Sequence, residues 1–259
     1  MTDVTAELEV ERRADILWIT LDRPTRRNAL TVDLVEAIGD ALADADRAGD
    51  IRAAVLTGAG SAFCAGGDLP SLAAVAEGGP RSATDAIYSR FHRMVGLLGS
   101  VAYPVIAAVN GPAMGAGLDL AMACDLRIAS AEARFASSWI NVGLVPGMGG
   151  AHLLTRAIGS TRAAELVLLG RTIDAATAHS WGLVNSVVAP EELHTEAESV
   201  AARLAGFSRP AVQSSKASLR RAGLSAFDAE LAALGAVQGG LLVGDDFRAA
   251  TAAMTRGAR

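Results

Sequence analysis

The sequence has few cysteines and few aromatic side chains. Cys64 and Cys124 are the only cysteines among 259 residues, too few for a disulfide framework, and no histidine cluster accompanies them, so we expect no metal site. Both are interpreted as small, buried hydrophobic residues. Because only 4% of the residues are aromatic, alanine, leucine and valine must fill the core.

An excess of positive charge is also missing, and so is a long apolar run. The net charge of −5 argues against nucleic acid as a partner, because such proteins need a basic face that displaces counterions. No stretch approaches the roughly eighteen uninterrupted apolar residues of a membrane span, and the polar start of the chain lacks the apolar segment of a secretory signal. We therefore expect a cytoplasmic protein with no membrane partner.

The chain is long and apolar enough for one sizeable core, with 51% hydrophobic residues. Strand and helix patterns alternate up to about residue 200, which predicts an α/β core over 1–200, and only helical patterns follow. The region 201–259 is predicted to pack on this core or on a neighbouring subunit. Predicted strands cover 15–21, 51–57, 105–109, 126–129 and 185–188; predicted helices cover 31–48 (N-cap Thr31), 82–98, 114–123, 191–204, 211–221 and 225–234.

Two glycine-rich stretches carry the strongest functional signal. Residues 63–68 read Phe-Cys-Ala-Gly-Gly-Asp, and residues 115–119 read Gly-Ala-Gly-Leu-Asp at the start of a predicted helix. Backbone amides at such a place are unpaired and lie at the positive end of the helix dipole, so they can hold an oxygen on which negative charge develops. No lysine follows as in a phosphate-binding P-loop, and Leu120 replaces the third glycine of a dinucleotide fingerprint.

Several further motifs occur in one order along the chain. Together they resemble the enoyl-CoA hydratase/isomerase, or crotonase, superfamily. That resemblance implies a spiral of repeated ββα units with a C-terminal helical region, a homotrimer or dimer of trimers, and an acyl-CoA thioester substrate in fatty acid or lipid metabolism. No separate cofactor is implied, since coenzyme A is part of the substrate. The motifs are residues 27–30 (Arg-Asn-Ala-Leu), 63–69, 104–117, 124–125 and 143–146 with the glycine pair 149–150.

The resemblance also implies roles for individual residues. The amides of Gly67 and Ala116 would form an oxyanion hole around the thioester carbonyl. Residues expected to contact coenzyme A are Arg26, Arg27, Ala65, Asp68, Leu69 and Lys216, and those expected to line the acyl pocket are Cys64, Gly115, Trp139 and Gly147.

The acid/base residues depart from the family pattern. Hydratases of this superfamily use two glutamates, and the matching residues here are Asp119 and Trp139. Tryptophan cannot activate water because its indole offers only a donor N–H. Gly147 stands where related dehalogenases and several isomerases carry a carboxylate. Asp119 is therefore the leading acid/base candidate and His92 the second, although capping of the helix start by Asp119 and a structural role for His92 stay open.

Three functions follow as alternatives. An isomerase or lyase working through a thioester enolate comes first, and double-bond isomerisation tolerates the loss of acids better than hydration because one well-placed group suffices. The second is a degenerate acyl-CoA-binding protein, and the third is an acyl-CoA hydrolase or decarboxylase. The sequence leaves the acyl chain open, as it does the choice between trimer and hexamer.

Overall fold

The structure is a computed structural model that describes residues 2–5, 7–221, 231 and 237–257. Its strands are short and alternate with helices over most of the chain, as the sequence pattern predicts for an α/β protein. They are β1 (Thr2–Thr5), β2 (Leu8–Arg13), β3 (Ile16–Leu21), β4 (Ala53–Gly58), β5 (Val105–Val109), β6 (Ala113–Met114), β7 (Leu126–Ser130), β8 (Arg134–Ala136), β9 (Thr172–Asp174) and β10 (Ser186–Val188).

The strands form two sheets. A larger one has the order β1-β2-β3-β4-β5-β7-β10, and a smaller one has the order β6-β8-β9. In the larger sheet β1, β2 and β3 pair antiparallel, whereas β3, β4, β5, β7 and β10 pair parallel. Every residue of β5 is buried, as expected for a central parallel strand covered on both faces.

The helices cover both faces of the larger sheet. Thr31 caps the first one by accepting a hydrogen bond from the Leu34 amide at 3.1 Å, which confirms the predicted N-cap. The helices are α1 (Val32–Ala48), α2 (Leu69–Ala76), α3 (Pro80–Ala83), α4 (Ser89–Ser100), α5 (Ala116–Ala123), α6 (Gly150–Leu169), α7 (Ala175–Trp181), α8 (Leu193–Ala205), α9 (Arg209–Arg221) and α10 (Asp245–Gly257).

The predicted elements differ from the structure at several places. The predicted helix 82–98 is interrupted by a π-helical turn over Thr84–Tyr88 before α4 begins. The predicted helix 114–123 begins only at Ala116, because Met114 pairs with Ala136 in the smaller sheet. Helices α2, α6, α7 and α10 and strands β1, β2, β6, β8 and β9 were not predicted as individual elements. The predicted helix 225–234 lies outside the described residues apart from Leu231.

The C-terminal region packs on the α/β core. Leu242 and Phe247 are buried within the main hydrophobic cluster, and a helical segment over 237–242 precedes α10. Within the described ranges, no helix is both long and apolar enough to cross a bilayer. The C-terminal region therefore contributes side chains to the interior next to the site described below.

Candidate active site

The first glycine-rich stretch follows β4 as a loop that leaves one amide unused. Leu30 donates its amide to the Gly66 carbonyl at 2.7 Å, and its carbonyl accepts from the Asp68 amide at 2.8 Å. These bonds hold the loop on both sides of Gly67, whose own amide donates to no acceptor among the described residues. Gly66 has a φ of +105°, a conformation that favours glycine.

The second stretch turns sharply into α5. Gly115 has φ 52° and ψ −117° and donates its amide to the Ala136 carbonyl at 2.8 Å. Ala116 then opens the helix, and no described residue accepts a hydrogen bond from its amide. A Cβ built on Gly66 would lie 3.6 Å from the Ala116 nitrogen, so the two glycine-rich stretches meet at this point.

Close packing beneath this point depends on Gly117. A Cβ at Gly117 would approach the Cys64 carbonyl oxygen to 2.2 Å, which is shorter than any tolerated contact. Cys64 itself is fully buried, and burial raises the pKa of its thiol to about 12. The structure thus places Cys64 behind the loop as a neutral thiol packed on α5.

Asp119 lies one turn into α5 and is completely buried. Its Oδ2 accepts the indole N–H of Trp139 at 3.1 Å, whereas Oδ1 accepts no hydrogen bond from the part of the chain that the structure describes. Desolvation is the main cause that raises the pKa of Asp119 to about 8, while the indole and the nearby Met148 backbone amide act in the opposite direction. A carboxyl group with this pKa can exchange a proton near neutral pH.

Asp119 also faces the start of α6. A Cβ on Gly150, the first residue of that helix, would lie only 1.9 Å from Asp119 Oδ1. Any larger residue at position 150 would therefore displace the carboxyl group. The positive end of the helix dipole at this N-terminus favours the charged form of the carboxyl group.

Trp139, the predicted wall of the acyl pocket, lies next to the second glycine-rich stretch. It lies on a short 3-10 helix, Ser138–Val142, and is 5% exposed. A Cβ on Gly115 would lie 3.9 Å from the indole Nε1, so the indole packs against the turn that opens α5. The structure thus brings together Gly115, Ala116, Asp119 and Trp139 from the predicted set.

Gly147 and His92 form a second group beside Asp119. His92 Nε2 lies 2.8 Å from the Gly147 carbonyl oxygen, so this ring nitrogen carries the proton and donates it. Burial lowers the pKa of His92, and the bond to Gly147 opposes that change. The ring of Tyr88 lies 5.5 Å from the ring of His92. His92 is therefore engaged with the backbone at Gly147.

Tyr88 and Gln238 belong to this group but were not predicted from the sequence. Tyr88 is 2% exposed and Gln238 is completely buried. A Cβ on Gly147 would lie 2.6 Å from Tyr88 Cε1 and 2.7 Å from Gln238 Nε2. These two side chains therefore fill the space into which a side chain at position 147 would extend. The only usable signal was a tyrosine one helical turn before His92, because nothing local links Gln238 to the site.

Five of the six residues predicted to contact coenzyme A lie in two groups. Arg26 and Arg27 are exposed, and the Arg27 carbonyl accepts the Ala65 amide at 2.9 Å, so these residues border the first glycine-rich loop. Asp68 caps α2 through the Ser71 amide at 3.1 Å and pairs with Arg23 at 3.2 Å, and the partly buried Leu69 is the first residue of that helix. The side chain of Asp68 is thus committed to the protein.

Lys216 is in a different position from the one that a coenzyme contact requires. It is 7% exposed, and its ammonium group donates to the carbonyls of Leu98 at 2.9 Å and Tyr103 at 2.8 Å. An ion pair with Asp125 at 2.7 Å uses its remaining donor. Because an ammonium group has three donors, Lys216 has none left for a phosphate. Its contacts connect α9 to the turn between α4 and β5.

A family model and several known proteins are similar to this chain in sequence. The family model described as "Enoyl-CoA hydratase/isomerase" matches residues 11–247. A probable enoyl-CoA hydratase of Mycobacterium leprae is 42% identical over 203 residues, which is 78% of this chain and 77% of that protein. A probable enoyl-CoA hydratase of Rhizobium meliloti is 41% identical over 216 residues, covering 83% and 81% of the two chains.

Solved structures are similar to this chain in fold. An enoyl-CoA hydratase/isomerase from Mycobacterium paratuberculosis superposes with a TM-score of 0.91 at 30% identity, covering 97% of this chain and 99% of that one. A monofunctional enoyl-CoA isomerase from M. smegmatis superposes with a TM-score of 0.72 at 35% identity, covering 90% and 99%. The α/β arrangement with its C-terminal helices is therefore the crotonase fold.

Proposed function

The chain belongs to the enoyl-CoA hydratase/isomerase family, and from that premise we propose that it moves a carbon–carbon double bond along the acyl group of an acyl-CoA thioester. The observation that carries this proposal is Asp119, a buried carboxyl group whose pKa of about 8 suits proton transfer near neutral pH.

Backbone amides are proposed to bind the thioester carbonyl. The amides of Gly67 and Ala116 have no acceptor among the described residues and belong to stretches that meet at Gly66. Removing a proton from the carbon next to the thioester makes an enolate whose negative charge collects on the carbonyl oxygen. Two preorganised donors stabilise that charge, and loss of one such donor typically costs about 10²- to 10³-fold in rate.

Asp119 is proposed to move the proton. The ionised carboxylate takes a proton from the α-carbon of a 3-enoyl thioester, and the electron pair passes into a dienolate held by the two amides. The protonated carboxyl group then returns the same proton to the γ-carbon, which gives the 2-enoyl thioester and restores the carboxylate. One group thus completes the cycle, with no water consumed and no redox partner needed.

Hydration is disfavoured by the surroundings of Asp119. Adding water across the double bond needs one group to activate the water and another to protonate the α-carbon. Trp139 has only an N–H, and that N–H is bonded to Asp119. Gly147 has no side chain, and its neighbour His92 donates to its carbonyl. The similarity to a monofunctional isomerase from M. smegmatis supports isomerisation rather than hydration.

The rest of the substrate is proposed to lie along the loop that carries Gly67. Arg26 and Arg27 are exposed at its border, and guanidinium groups match phosphate in charge and donor geometry. Trp139 would then pack against the acyl group and exclude water from Asp119. A homotrimer or a dimer of trimers remains our expectation for the assembly.

One observation favours a second function, that of an acyl-CoA-binding protein without turnover. Asp119 is completely buried, and its contacts with Trp139 and the start of α6 are those of a structural residue. In that case the two backbone amides would hold the thioester while no proton moves.

Conversion of the thioester distinguishes the two functions, and deuterium content follows the transferred proton. We would incubate the protein in D₂O with 2-enoyl and 3-enoyl thioesters, a saturated acyl-CoA and a carboxyacyl-CoA, and follow both products and deuterium content by mass spectrometry. An isomerase converts the 3-enoyl thioester to the 2-enoyl thioester, and the γ-carbon takes up deuterium only to the extent that the proton on Asp119 exchanges with solvent before it is returned. Tight binding of every thioester with neither conversion nor exchange would refute the proposed activity and leave the binding protein.

Two variants make the experiment specific for Asp119. Asp119→Asn keeps the size and can still accept the Trp139 N–H, so we expect conversion to fall by about 10³-fold or more while acyl-CoA binding persists. Asp44→Asn is the matched control, because Asp44 is exposed on α1 and pairs only with Arg47 among the described residues. Equal turnover by both variants would show that Asp119 does not transfer the proton.

A further inference from the structure

A serine hydroxyl that the proposed reaction does not use lies at the turn into α5. Ser138 is the first residue of the 3-10 helix that carries Trp139, and it is partly buried. A Cβ built on Gly115 would lie 3.2 Å from Ser138 Oγ. Among the residues that the structure describes, none forms a hydrogen bond with this hydroxyl. The hydroxyl is therefore free to bind a group that enters beside Gly115.

The pairing of β6 with β8 fixes the position of this serine. Met114 pairs with Ala136, and the Gly115 amide donates to the Ala136 carbonyl at 2.8 Å. Ser138 follows two residues later, so its backbone is tied to the turn that opens α5. A hydroxyl on such a backbone loses little conformational freedom when a ligand binds, and this lowers the cost of binding.

The conformation of Gly115 directs the Ala116 N–H into the same space. In a trans peptide the N–H lies on the same side as the preceding Cα. Because ψ of Gly115 is −117°, a Cβ on that Cα would be eclipsed with the bond to the Ala116 nitrogen. The Ala116 N–H therefore points at the place of the missing Cβ. The nearest atoms to that place outside residues 114–116 are Ser138 Oγ at 3.2 Å and two indole atoms of Trp139 at 3.9 Å.

One of the two side chains at this space has a donor to spare. The indole N–H of Trp139 is bonded to Asp119 Oδ2 at 3.1 Å. A serine hydroxyl rotates about its C–O bond and can turn its proton toward an oxygen that enters the space. Ser138 is therefore the side chain that can join the Ala116 amide in binding one oxygen atom.

We infer that the Ser138 hydroxyl is a third hydrogen-bond donor to the thioester oxygen, beside the backbone amides of Gly67 and Ala116. This inference rests on the proposed function, which puts the thioester carbonyl at these amides. The bond strengthens as the dienolate forms, because negative charge then collects on the oxygen and a hydrogen bond to a charged acceptor is stronger than one to a neutral acceptor.

Ser138→Ala tests the third donor, because it removes the hydroxyl and leaves both backbone amides in place. Loss of one donor to such an oxygen typically costs about 10²- to 10³-fold in rate. Since two donors remain, we expect kcat for the 3-enoyl thioester to fall about 10- to 100-fold, with KM within about threefold. Ser138→Thr keeps a hydroxyl on the same carbon and should retain most of the wild-type kcat.

Ser137→Ala is the matched control, because it removes a hydroxyl from the neighbouring residue. Ser137 is completely buried, and its Oγ has no hydrogen-bond partner within the described part of the chain. Its loss should leave kcat and KM unchanged, and urea denaturation should show that all three variants fold as wild type does. A fall in kcat for Ser137→Ala as large as that for Ser138→Ala would assign the loss to packing of this segment and overturn the inference.

Infrared spectroscopy tests the same contact without turnover. A hydrogen bond to a carbonyl oxygen weakens the C=O bond and lowers its stretching frequency. We would record isotope-edited spectra of a saturated acyl-CoA, labelled with ¹³C at the thioester carbonyl, bound to each protein. Ser138→Ala should move the band toward the frequency of the free thioester, whereas Ser137→Ala and Ser138→Thr should leave it at the wild-type position.

The two readouts distinguish failure of this inference from failure of the proposed function. If the wild-type protein binds the thioesters and converts none, the proposed activity has failed, and the infrared band then decides the role of Ser138 by itself. A band that Ser138→Ala does not move would overturn the inference, with or without turnover. A wild-type protein that binds no thioester would overturn both.

Discussion

Trp139 donates its indole N–H to Asp119 Oδ2 across 3.1 Å, in a place where neither side chain is more than 5% exposed. The bond favours the ionised carboxylate and therefore opposes the desolvation that raises the pKa of Asp119. Trp139 thus limits how far the pKa of the proposed base rises above neutrality.

Replacing Trp139 by phenylalanine should therefore raise the pKa of Asp119 further. A hydrogen bond to a charged group contributes about 1.5–3 kcal/mol, which corresponds to an upward shift of roughly one to two pH units. Because the proposed base must be ionised, the rising limb of kcat against pH should move to higher pH by that amount. Trp181→Phe, on α7, is the control and should leave the limb in place; a limb unmoved by Trp139→Phe would contradict the assignment.

Asp119 should also make the protein less stable as the pH rises. Its pKa is about 8 in the folded state against 3.8 ordinarily, so between these values the folded protein holds a proton that the unfolded chain has released. The free energy of unfolding contributed by this group therefore falls from about pH 4 to about pH 8 and is constant above that. In Asp119→Asn this fall should be absent.

Urea denaturation at several pH values measures this difference. Relative to wild type, Asp119→Asn should gain a few kcal/mol of stability on going from pH 5 to pH 8.5. Asp44→Asn should follow the wild-type curve, because Asp44 is exposed. Parallel curves for wild type and Asp119→Asn would show that the carboxyl group is ionised throughout this range.

Lys216 should matter for stability and little for the substrate. Lys216→Met leaves the Asp125 carboxylate and two backbone carbonyls without their shared donor. Breaking a buried pair costs about 3–5 kcal/mol, and partial exposure of Asp125 places the expected loss toward the lower figure. Urea denaturation measures the loss of stability. KM for an acyl-CoA is measured without urea, where the variant is still folded, and should change less than about twofold. A large rise in KM would instead restore the coenzyme contact expected from the sequence.

Arg26 and Arg27, in contrast to Lys216, should matter for substrate binding and little for stability. Reversing either charge with glutamate removes a cation from the border of the loop and should raise KM for acyl-CoA several-fold while kcat and stability stay nearly constant, since both side chains are exposed. The effect should shrink at high salt. The same variants tested with a short thioester that lacks the nucleotide should show no change in KM.

Gly66→Ala should damage the site through the backbone. The φ of +105° is strained for alanine, and its Cβ would lie 2.9 Å from the Met114 carbonyl oxygen. We expect a loss of about 1–3 kcal/mol in stability and a larger fractional loss of activity, because the loop that carries the Gly67 amide must shift. Gly96→Ala on α4 is the control, since nothing lies within 4 Å of its Cβ and the helix should gain stability. Full activity in Gly66→Ala would show that the loop carrying the Gly67 amide takes no part in the reaction.

Local patterns were sufficient for much of the fold. The cap at Thr31, the buried run of β5 and the glycine-rich turn into α5 each depend on neighbours within a few residues, and the structure confirms them. Strand β6 was missed because two residues are too few to show alternation, and its pairing with β8 depends on contacts remote in sequence. The start of α5 was placed two residues early for the same reason.

The site was only partly predictable because burial and partners are set by tertiary contacts. That Asp119 and Trp139 touch could not be read from two residues twenty positions apart, although each was singled out. Lys216 was expected to contact coenzyme A and is instead buried beside Asp125. Tyr88 and Gln238 carry no motif, and their meeting at Gly147 depends on how the C-terminal region folds back.

The amides of Gly67 and Ala116, which have no acceptor among the residues that the structure describes, have a consequence for how such a protein can change over generations. A donor that belongs to the main chain survives every single amino-acid replacement except proline, which alone lacks the N–H. The side chains at 119, 139 and 147 have no such protection and can each be exchanged by a point mutation. During evolution, the proton-transfer side chains of a protein with these two loops can therefore be replaced one at a time. The backbone amides that are proposed to hold the carbonyl are kept.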